Sequence, residues 1–468
     1  MQSTKRITQT AALLLAGLAS VATAGPPLDS GALDAAFGSG GKVILNAAEA
    51  GATGSNFTAT DIAVQSNGKT IVAGYTDNDC VLTRLNPDGS LDSSFGGTNG
   101  FSPGFAGYGL CSFTGIAVRA DDRIVTVANQ PDGVAIVSQF TAGGLPDYSG
   151  FGAQNGATFV APASGDSTNV TRVVIESNGT IDVAGFYYQQ STNNNQFLFV
   201  QISADGKTVQ PLFQYEFGSG QNQDDHAQDL AIDSQGRYVV VGYHRGASGN
   251  YDFAAIRIRS DLYDVDNTFG SGGQTTVDFG DNGDYANAVA LTSTGYIALG
   301  GQANGQAALA MLDPDGNLNT YFSGGLLYPE KFTYNFGIGG GNDTITKLIV
   351  DGYDTKYPQL LAIGSGNQSG VPYGLMLGIA RLDLPGTYSN FTLDTGFSGN
   401  GTEGVYFNER PDGIGLFTTT NHGRSAAFAN GKLVVAGDTI EPGGTGIAVA
   451  RVAAFDGIFK NGFDNPSL

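Results

Sequence analysis

The chain has no tryptophan and is poor in several other residue types. Its 468 residues include three His, three Met and two Cys, and 14% of them are charged. Lysine and arginine together number 22 against 43 aspartate and glutamate residues, so the formal net charge is −21 at pH 7. A chain with this charge repels polyanions, which excludes nucleic acid and anionic membranes as expected partners.

Apolar runs that could span a membrane are also lacking. The positive pair Lys5-Arg6 precedes an apolar run at residues 11–22, and a small-residue site ends at Ala24. This order predicts a signal peptide at residues 1–24 that is cleaved near Ala24. The run is too short to cross a bilayer, and no later segment is long enough. We therefore expect no membrane span, and a protein that is secreted, periplasmic or held at the cell surface.

Cysteine is nearly absent, with Cys80 and Cys111 as the pair. An even count in an oxidising compartment predicts one disulfide between them. The alternative is two free, buried thiols.

What the chain does have is a repeat. The stretch Arg84 to Gly97, RLNPDGSLDSSFGG, ends an apolar run and continues into the turn chemistry of Asn-Pro-Asp-Gly. Related copies lie at 33–41, 145–152, 264–273, 312–325 and 393–401, and we take EFGSG near Phe217 as the most degraded copy.

A second element lies between these copies. Ile62 to Tyr75, IAVQSNGKTIVAGY, is an apolar run, an Asn-Gly turn and another apolar run, which predicts a β-hairpin. Relatives lie at 116–128, 173–186, 230–243, 289–301, 348–364 and 426–437. Spacing of roughly 55 to 60 residues indicates a repeat architecture.

The copies NPDGSLDSSFGG and NGKTIVAGY resemble the delta-60 repeat family of bacterial extracellular proteins. The resemblance covers nearly all of the chain after residue 24. It implies a β-propeller, and it implies no activity, because no biochemical function goes with the repeat itself.

Counting strands extends this prediction. Each period offers four strand-length runs, which suits one antiparallel propeller blade. Seven hairpins predict an all-β, seven-bladed propeller with four antiparallel strands per blade, occupying residues 25–455 and followed by a tail at 456–468. We expect Lys42 to Asn46 to complete the last blade beside Ile447 to Val452. In the alternative phase this segment is the innermost strand of the first blade. A closed ring leaves no free edge, and we expect a monomer.

Strands that run alternately up and down place their connections on two opposite faces. The Asn-Gly turns and the NPDGSLDSSFG turns share one, the uniform face. All other connections share the variable face, where binding residues are expected because rigid scaffolds present function on loops. The candidate ligand-binding residues there are Tyr187, Tyr188, His226, His244 and Tyr251.

These features favour a non-enzymatic module that binds or scaffolds an extracellular protein or glycan. The alternative is a hydrolase-like or lyase-like enzyme with a polar site at the mouth of the channel. Without Trp the chain cannot match the Ser-x-Asp-x-Gly-x-Thr-Trp repeat of propeller glycosidases. The histidines lack metal-site spacing, so no catalytic residue, metal or cofactor is assigned. Calcium is an open alternative at the repeat aspartates Asp34, Asp92, Asp147, Asp266 and Asp394.

Overall fold

The structure is a computed structural model. It describes residues 33–46, 49, 56–77, 79–97, 99–102, 111–153, 155–218, 224–246, 248–261, 264–280, 283–323, 326–336, 343–351, 359–367, 375–383, 392–393, 402–405, 421–429, 431–441 and 444–452. The predicted signal peptide, the predicted tail and Asp394 lie outside these residues.

The described chain is built from antiparallel sheets whose strands follow one another in sequence. The first strand is β1 (Lys42–Asn46). Blade 1 contains β2 (Phe57–Val64), β3 (Thr70–Thr76), β4 (Cys80–Leu85) and β5 (Phe101–Ser102). A short 3-10 turn, Phe95–Gly97, lies between its last two strands. Blade 2 contains β6 (Ser112–Val118), β7 (Ile124–Asn129), β8 (Ala135–Phe140) and β9 (Ala157–Val160). Blade 3 contains β10 (Ser167–Ile175), β11 (Ile181–Gln189), β12 (Asn194–Ile202) and β13 (Phe213–Tyr215).

The second half continues in the same way. Blade 4 contains β14 (His226–Ile232), β15 (Tyr238–Arg245), β16 (Tyr251–Ile258) and β17 (Gln274–Val277). Blade 5 contains β18 (Tyr285–Leu291), β19 (Ile297–Ala303), β20 (Gln306–Leu312) and β23 (Lys331–Tyr334), with a hairpin of β21 (Thr320–Ser323) and β22 (Leu326–Pro329) inserted. A five-stranded sheet follows, with β24 (Thr344–Asp351), β25 (Gln359–Asn367), β26 (Leu375–Asp383), β27 (Thr392–Leu393) and β28 (Thr402–Val405). Blade 6 contains β29 (Asn421–Ala429), β30 (Lys432–Glu441), β31 (Gly444–Val452) and β1.

The predicted number of blades is wrong. Among the described residues, six sheets are four-stranded blades, and the sheet between blades 5 and 6 has five strands. The difference arises because β26 pairs with both β27 and β28. In the blades, the segment equivalent to β27 makes only an isolated bridge, such as Leu85 with Leu91. The all-β propeller architecture itself is as predicted.

The N-terminal strand pairs with the end of the chain. Lys42 lies opposite Ala450 and Asn46 opposite Gly446, so β1 is the fourth strand of blade 6. The first strands β2, β6, β10, β14, β18, β24 and β29 contact one another in this order, and β29 also contacts β2. The ring therefore closes, and the alternative phase, with β1 innermost in blade 1, is wrong.

The middle strands are apolar on both faces because each blade is covered by a neighbour on each side. Every residue of β4 is buried, for example. Ile71 and Leu82 of blade 1 belong to one core cluster with Phe113 and Ile124 of blade 2. Burial of large side chains between consecutive sheets is the main favourable term in this fold.

Each first strand carries a β-bulge in its pairing with the second strand. Threonine at the bulge links one sheet to the next. The Thr114 hydroxyl donates to Val170 O at 2.7 Å, and the Thr171 hydroxyl donates to Ala227 O at 3.0 Å. These bonds satisfy carbonyls that a bulge would otherwise leave unpaired.

Candidate functional site

The two predicted faces exist. In blade 1 the Asn67-Gly68 turn precedes β3 at Thr70, whereas Cys80 pairs with Tyr75 at the other end of β3. Cys111 directly precedes β6, whose first residue Ser112 lies opposite the last residue of β7. The turns and the cysteines therefore lie at opposite ends of their strands, as the sequence predicts.

The predicted disulfide is present. Cys80 in blade 1 and Cys111 at the entrance to blade 2 are bonded, with their Cα atoms 5.3 Å apart. The bond joins neighbouring blades at the variable face.

At the uniform face an arginine, an aspartate and a phenylalanine of one blade contact one another, and we call this arrangement the latch. In blade 1, Arg84 donates from Nε to Asp92 at 2.8 Å and its Cζ lies 4.6 Å from the centroid of the Phe95 ring. Lys69, from the hairpin turn, binds the same carboxylate at 2.7 Å. Arg84 Nη1 also donates to Ala142 O in the turn of blade 2, at 2.6 Å. These repeat residues therefore connect blade 1 to blade 2.

The same latch recurs in blades 4 and 6. Arg257 pairs with Asp266 and covers Phe269, and Arg451 pairs with Asp34 and covers Phe37. Asp34, Asp92 and Asp266 thus accept from the chain's own cations, and this geometry favours a structural role over the calcium alternative. Asp147 accepts from the side-chain amide of Gln139 at 2.8 Å and from its neighbour Gly150.

The segment EFGSG near Phe217 is not a copy of the latch, contrary to the sequence interpretation. Phe217 N donates to Asp225 Oδ2 at 3.0 Å on the variable face. The same arrangement recurs at Phe279 with Asp284 and at Phe336 with Asp343. Similar Phe-Gly sequences thus occur in two different turns, which lie on opposite faces.

The variable face of blades 3 to 5 brings together aromatic and acidic side chains, which we call the aromatic–acidic cluster. Its members are Phe186, Asn195, Asp224, His226, Tyr243, Tyr251 and Tyr285.

Three donors converge on Asp224 in this cluster. His226 Nε2 lies 2.7 Å from Asp224 Oδ1, which also accepts from Asn195 Nδ2 at 2.6 Å. The Tyr251 hydroxyl donates to Asp224 Oδ2 at 2.5 Å. The hydrogen bond from His226, with those from Tyr251 and Asn195, holds the pKa of Asp224 well below its usual range. A negative charge is therefore fixed at this position.

Aromatic rings surround that charge. The His226 ring stacks on Tyr243 with centroids 5.0 Å apart and lies 4.0 Å from the Phe186 ring. Tyr243 meets Tyr251 and Tyr285 edge-on, at 5.6 Å and 5.0 Å. Burial and the Asp224 carboxylate raise the pKa of Tyr251 to about 12, so it stays a hydrogen-bond donor at neutral pH.

His244 lies beside this cluster but is held separately. Its Nδ1 is 2.6 Å from Oδ1 of Asp225, a fully buried residue, and its ring stacks on Phe217 at 5.1 Å. Because Asp225 also fixes the backbone of Phe217, this pair stabilises the turn that presents Asp224 and His226.

The two adjacent tyrosines predicted for binding have different environments. Tyr187 is only 4% exposed, and its hydroxyl donates to Asp166 Oδ2 at 2.7 Å. Tyr188 is half-buried and donates to Asn193 Oδ1 at 2.9 Å within its own hairpin. His226 and Tyr251 are the two candidates that the structure brings into one hydrogen-bonded group.

Sequence reasoning missed Phe186 and Asn195, which no motif distinguishes from ordinary strand residues.

It also missed a charged group at the centre of the ring. Arg172 bridges Asp61 at 3.1 Å and Asp229 at 3.0 Å, joining blades 1, 3 and 4. Each of these residues directly follows the bulge of a first strand. A charged residue that recurs at this position of the hairpin repeat could have revealed the group.

An acidic group lies further out, between blades 4 and 5. Oxygen atoms of Asp252, Asp278 and Asp284 lie within 4.8 Å of one another. The Lys331 ammonium donates to Asp278 O and lies 5.3 Å from the Phe279 ring centroid. This neighbouring cation moderates the negative charge.

A comparison with protein families supports the β-propeller fold. A family model described as a domain of unknown function (DUF5122) beta-propeller matches residues 65–95. No curated protein matches the chain. Within the described residues, no helix is both long and apolar enough to cross a membrane.

Three solved structures that are similar to the chain are distant in sequence. The extracellular domain of BT4673 from B. thetaiotaomicron is 11% identical with a TM-score of 0.41, and the match covers 84% of this chain but 38% of that one. NanB sialidase from Streptococcus pneumoniae is 10% identical with a TM-score of 0.42, covering 85% and 68%. Sqt1 from Chaetomium thermophilum is 14% identical with a TM-score of 0.43, covering 85% and 96%.

Proposed function

We propose that the protein is a secreted, non-enzymatic binding module that holds a neutral extracellular glycan at the aromatic–acidic cluster. The observation that carries the proposal is the fixed Asp224 carboxylate beside the ring group of Tyr243, Tyr251 and Tyr285. Aromatic rings provide apolar area for sugar C–H faces, and oriented polar groups bind hydroxyls. Secretion rests on the predicted signal peptide at residues 1–24.

Charge decides between classes of glycan. The formal net charge is −21, and Asp224 adds a negative charge at the cluster itself. An anionic polysaccharide would be repelled on approach and again at the site. A neutral glycan meets no such barrier and can donate hydroxyl hydrogens to acceptors on the cluster.

The ring contacts of His226 with Phe186 and Tyr243 favour positioning over catalysis. Its Nε2 is bound to Asp224, and its ring lies between Phe186 and Tyr243. A general base needs a nitrogen within reach of the proton that it removes. Here the carboxylate and the stacked rings fix the imidazole as part of the surface.

Affinity electrophoresis through gels that contain a soluble polysaccharide tests the proposal. A neutral β-glucan or mannan should retard the wild-type protein, and alginate should not. Tyr285→Ala and Asp224→Asn should weaken retardation. Tyr148→Ala is the matched control, because Tyr148 is 55% exposed and lies in a uniform-face turn. Equal losses in Tyr148→Ala and Tyr285→Ala, or retardation by alginate alone, would contradict the proposal.

The second candidate is an enzyme of the hydrolase or lyase type, and the pairing of His226 with Asp224 at 2.7 Å is the observation in its favour. Incubation with the retained polysaccharide separates the two functions. Shortened products that disappear with His226→Gln would establish catalysis. Retention without products supports the binding module.

A further inference from the structure

Blade 3 departs from the repeat at the uniform face. The register places Gln201 opposite Asp182, where blade 4 has Arg257 opposite Val239 and blade 6 has Arg451 opposite Val434. An amide takes the place of the latch arginine here, as Gln139 does opposite Val125 in blade 2, but in blade 3 the valine is also replaced by an aspartate.

That aspartate lies in the core. Asp182 is 0% exposed, and its Oδ1 accepts from Gln201 Nε2 at 3.0 Å. Its Oδ2 accepts no hydrogen bond from the described donors, although it is buried. Burial of an ionised carboxylate with an unsatisfied oxygen is strongly unfavourable, so such a group takes up a proton instead.

The group facing Asp182 is a second carboxylate. Asp182 Oδ1 and Glu176 Oε1 both accept from the same amide nitrogen, Gln201 Nε2, which places the two carboxyl groups side by side. Glu176 Oε1 also accepts from Tyr238 of blade 4 at 2.9 Å and from Gln201 Nε2 at 3.1 Å. Two carboxyl groups can bond to each other only if one of them holds a proton.

We propose that Asp182 and Glu176 share one proton and form a pH-sensitive clasp across the seam between blades 3 and 4. The proton converts Asp182 from an acceptor into a donor toward Glu176. Glu176 in turn accepts from Tyr238, whose ring lies 4.7 Å from Phe199 of blade 3. The chain Asp182–Glu176–Tyr238 thus joins the two blades.

The groups that face the pair make it sensitive to base. Glu176 supplies a like charge, and Gln201 and Tyr238 supply neutral donors. Arg119 of blade 2 binds the backbone oxygens of Gly179 and Ala204. Burial, with the neighbouring Glu176 charge, raises the pKa of Asp182 well above its ordinary 3.8.

The sign of the pH effect follows from this direction. Between 3.8 and the raised native pKa, the native state holds a proton that the unfolded state has released. The protein therefore becomes less stable as pH rises through that interval. Its unfolding equilibrium constant rises about tenfold per pH unit. The same seam presents Phe186 and Asn195 beside His226 on the variable face, so loss of the clasp at alkaline pH would loosen the candidate site.

Urea unfolding at steps from pH 5 to pH 9 tests the clasp without requiring any ligand. The unfolding constant of the wild type should rise relative to that of Asp182→Asn by more than tenfold across this range. Glu330, whose pKa burial raises to about 7, contributes equally to both proteins and cancels in the comparison. Asp182→Val, matched to Val239 and Val434, should remove the same pH dependence. Parallel profiles for the wild type and both variants would overturn the proposal.

A spectroscopic measurement decides the question if either variant fails to fold. The infrared difference spectrum between pH 7 and pH 9, recorded for Glu330→Gln so that Glu330 contributes no band, should show loss of a protonated carboxylic acid band. Adding Glu176→Gln should shift that loss to lower pH. A Glu330→Gln spectrum with no such band at pH 7, or a band that Glu176→Gln leaves unmoved, overturns the shared proton. Neither experiment depends on glycan binding, so failure of the clasp and failure of the proposed function are distinguishable.

Discussion

Arg257 lies over the ring of Phe269, with its Cζ 4.7 Å from the ring centroid, while its Nε binds Asp266 at 2.9 Å. Its Nη1 reaches Pro314 O in the turn of the next blade at 2.6 Å. One buried guanidinium therefore contacts the phenylalanine and the aspartate of its own repeat and the Pro-Asp-Gly turn of the following repeat. These contacts hold neighbouring blades together at the uniform face.

Removal of this guanidinium should be costly. Arg257→Met leaves Asp266 as a buried carboxylate without its main partner, and we expect a loss of about 3 kcal/mol in the free energy of unfolding. Urea titration measures it. Arg259→Met is the matched control, because the ion pair of Arg259 with Asp261 is about half exposed and should contribute little. Equal effects in the two variants would contradict the latch.

The glycine of the Pro-Asp-Gly turn should be irreplaceable for a steric reason. Gly316 has φ +83°, and a Cβ there would lie 2.4 Å from the Phe269 ring. Gly272 has φ +69° with no atom within 4 Å of such a Cβ. Gly272→Ala should cost about 1 kcal/mol from backbone strain alone, and Gly316→Ala about 1 to 3 kcal/mol more from overpacking. Thermal unfolding of the pair tests this, and equal midpoints would show that the turn does not pack on the ring.

The disulfide should stabilise the seam between blades 1 and 2. Cys80 and Cys111 are 31 residues apart in sequence. Their bond restricts the unfolded chain, and a double substitution to serine should lower the free energy of unfolding by about 3 kcal/mol. A reducing agent should destabilise the wild type by a similar amount and leave the double variant unchanged. Sensitivity of the double variant to the reductant would be inconsistent with this assignment.

Acid should weaken the latch in a defined window. Burial raises the pKa of Asp266, but the hydrogen bonds from Thr268 and the charge of Arg257 outweigh it and lower the pKa to about 2. A lowered native pKa means stability that is present above 3.8 and lost as pH falls toward 2. Asp266→Asn should therefore reduce the slope of stability against pH between 4 and 2. An unchanged slope would show that this carboxylate is not paired in solution.

Local patterns predicted the repeat and the two faces, because these depend on short-range turn chemistry. The disulfide was predicted from the even cysteine count. The pairing of β1 with β31 followed from counting strand-length runs. The five strands of the sheet after blade 5 could not be predicted. Nothing in the local sequence shows that Thr392–Leu393 forms a strand, whereas the equivalent segments of the blades make only an isolated bridge.

The candidate site was predictable only in part. His226 and Tyr251 attract notice as rare or aromatic loop residues, but Asn195 reaches Asp224 only because the blade 3 hairpin lies against the entrance to blade 4. The clasp of Glu176 and Asp182 was missed for a related reason. A single aspartate in a strand resembles a solvent-facing residue until the register places it opposite Gln201 in the core.

The most direct test of the account follows the histidine side chains by NMR while a neutral oligosaccharide is added. The chain has only three histidines, so each ring can be assigned by single substitution. The account predicts that the His226 signals shift in proportion to the fraction bound, and that Tyr285→Ala weakens the titration while Tyr148→Ala does not. Saturable binding that leaves the His226 signals unmoved would contradict it, as would the absence of binding to every neutral oligosaccharide tested.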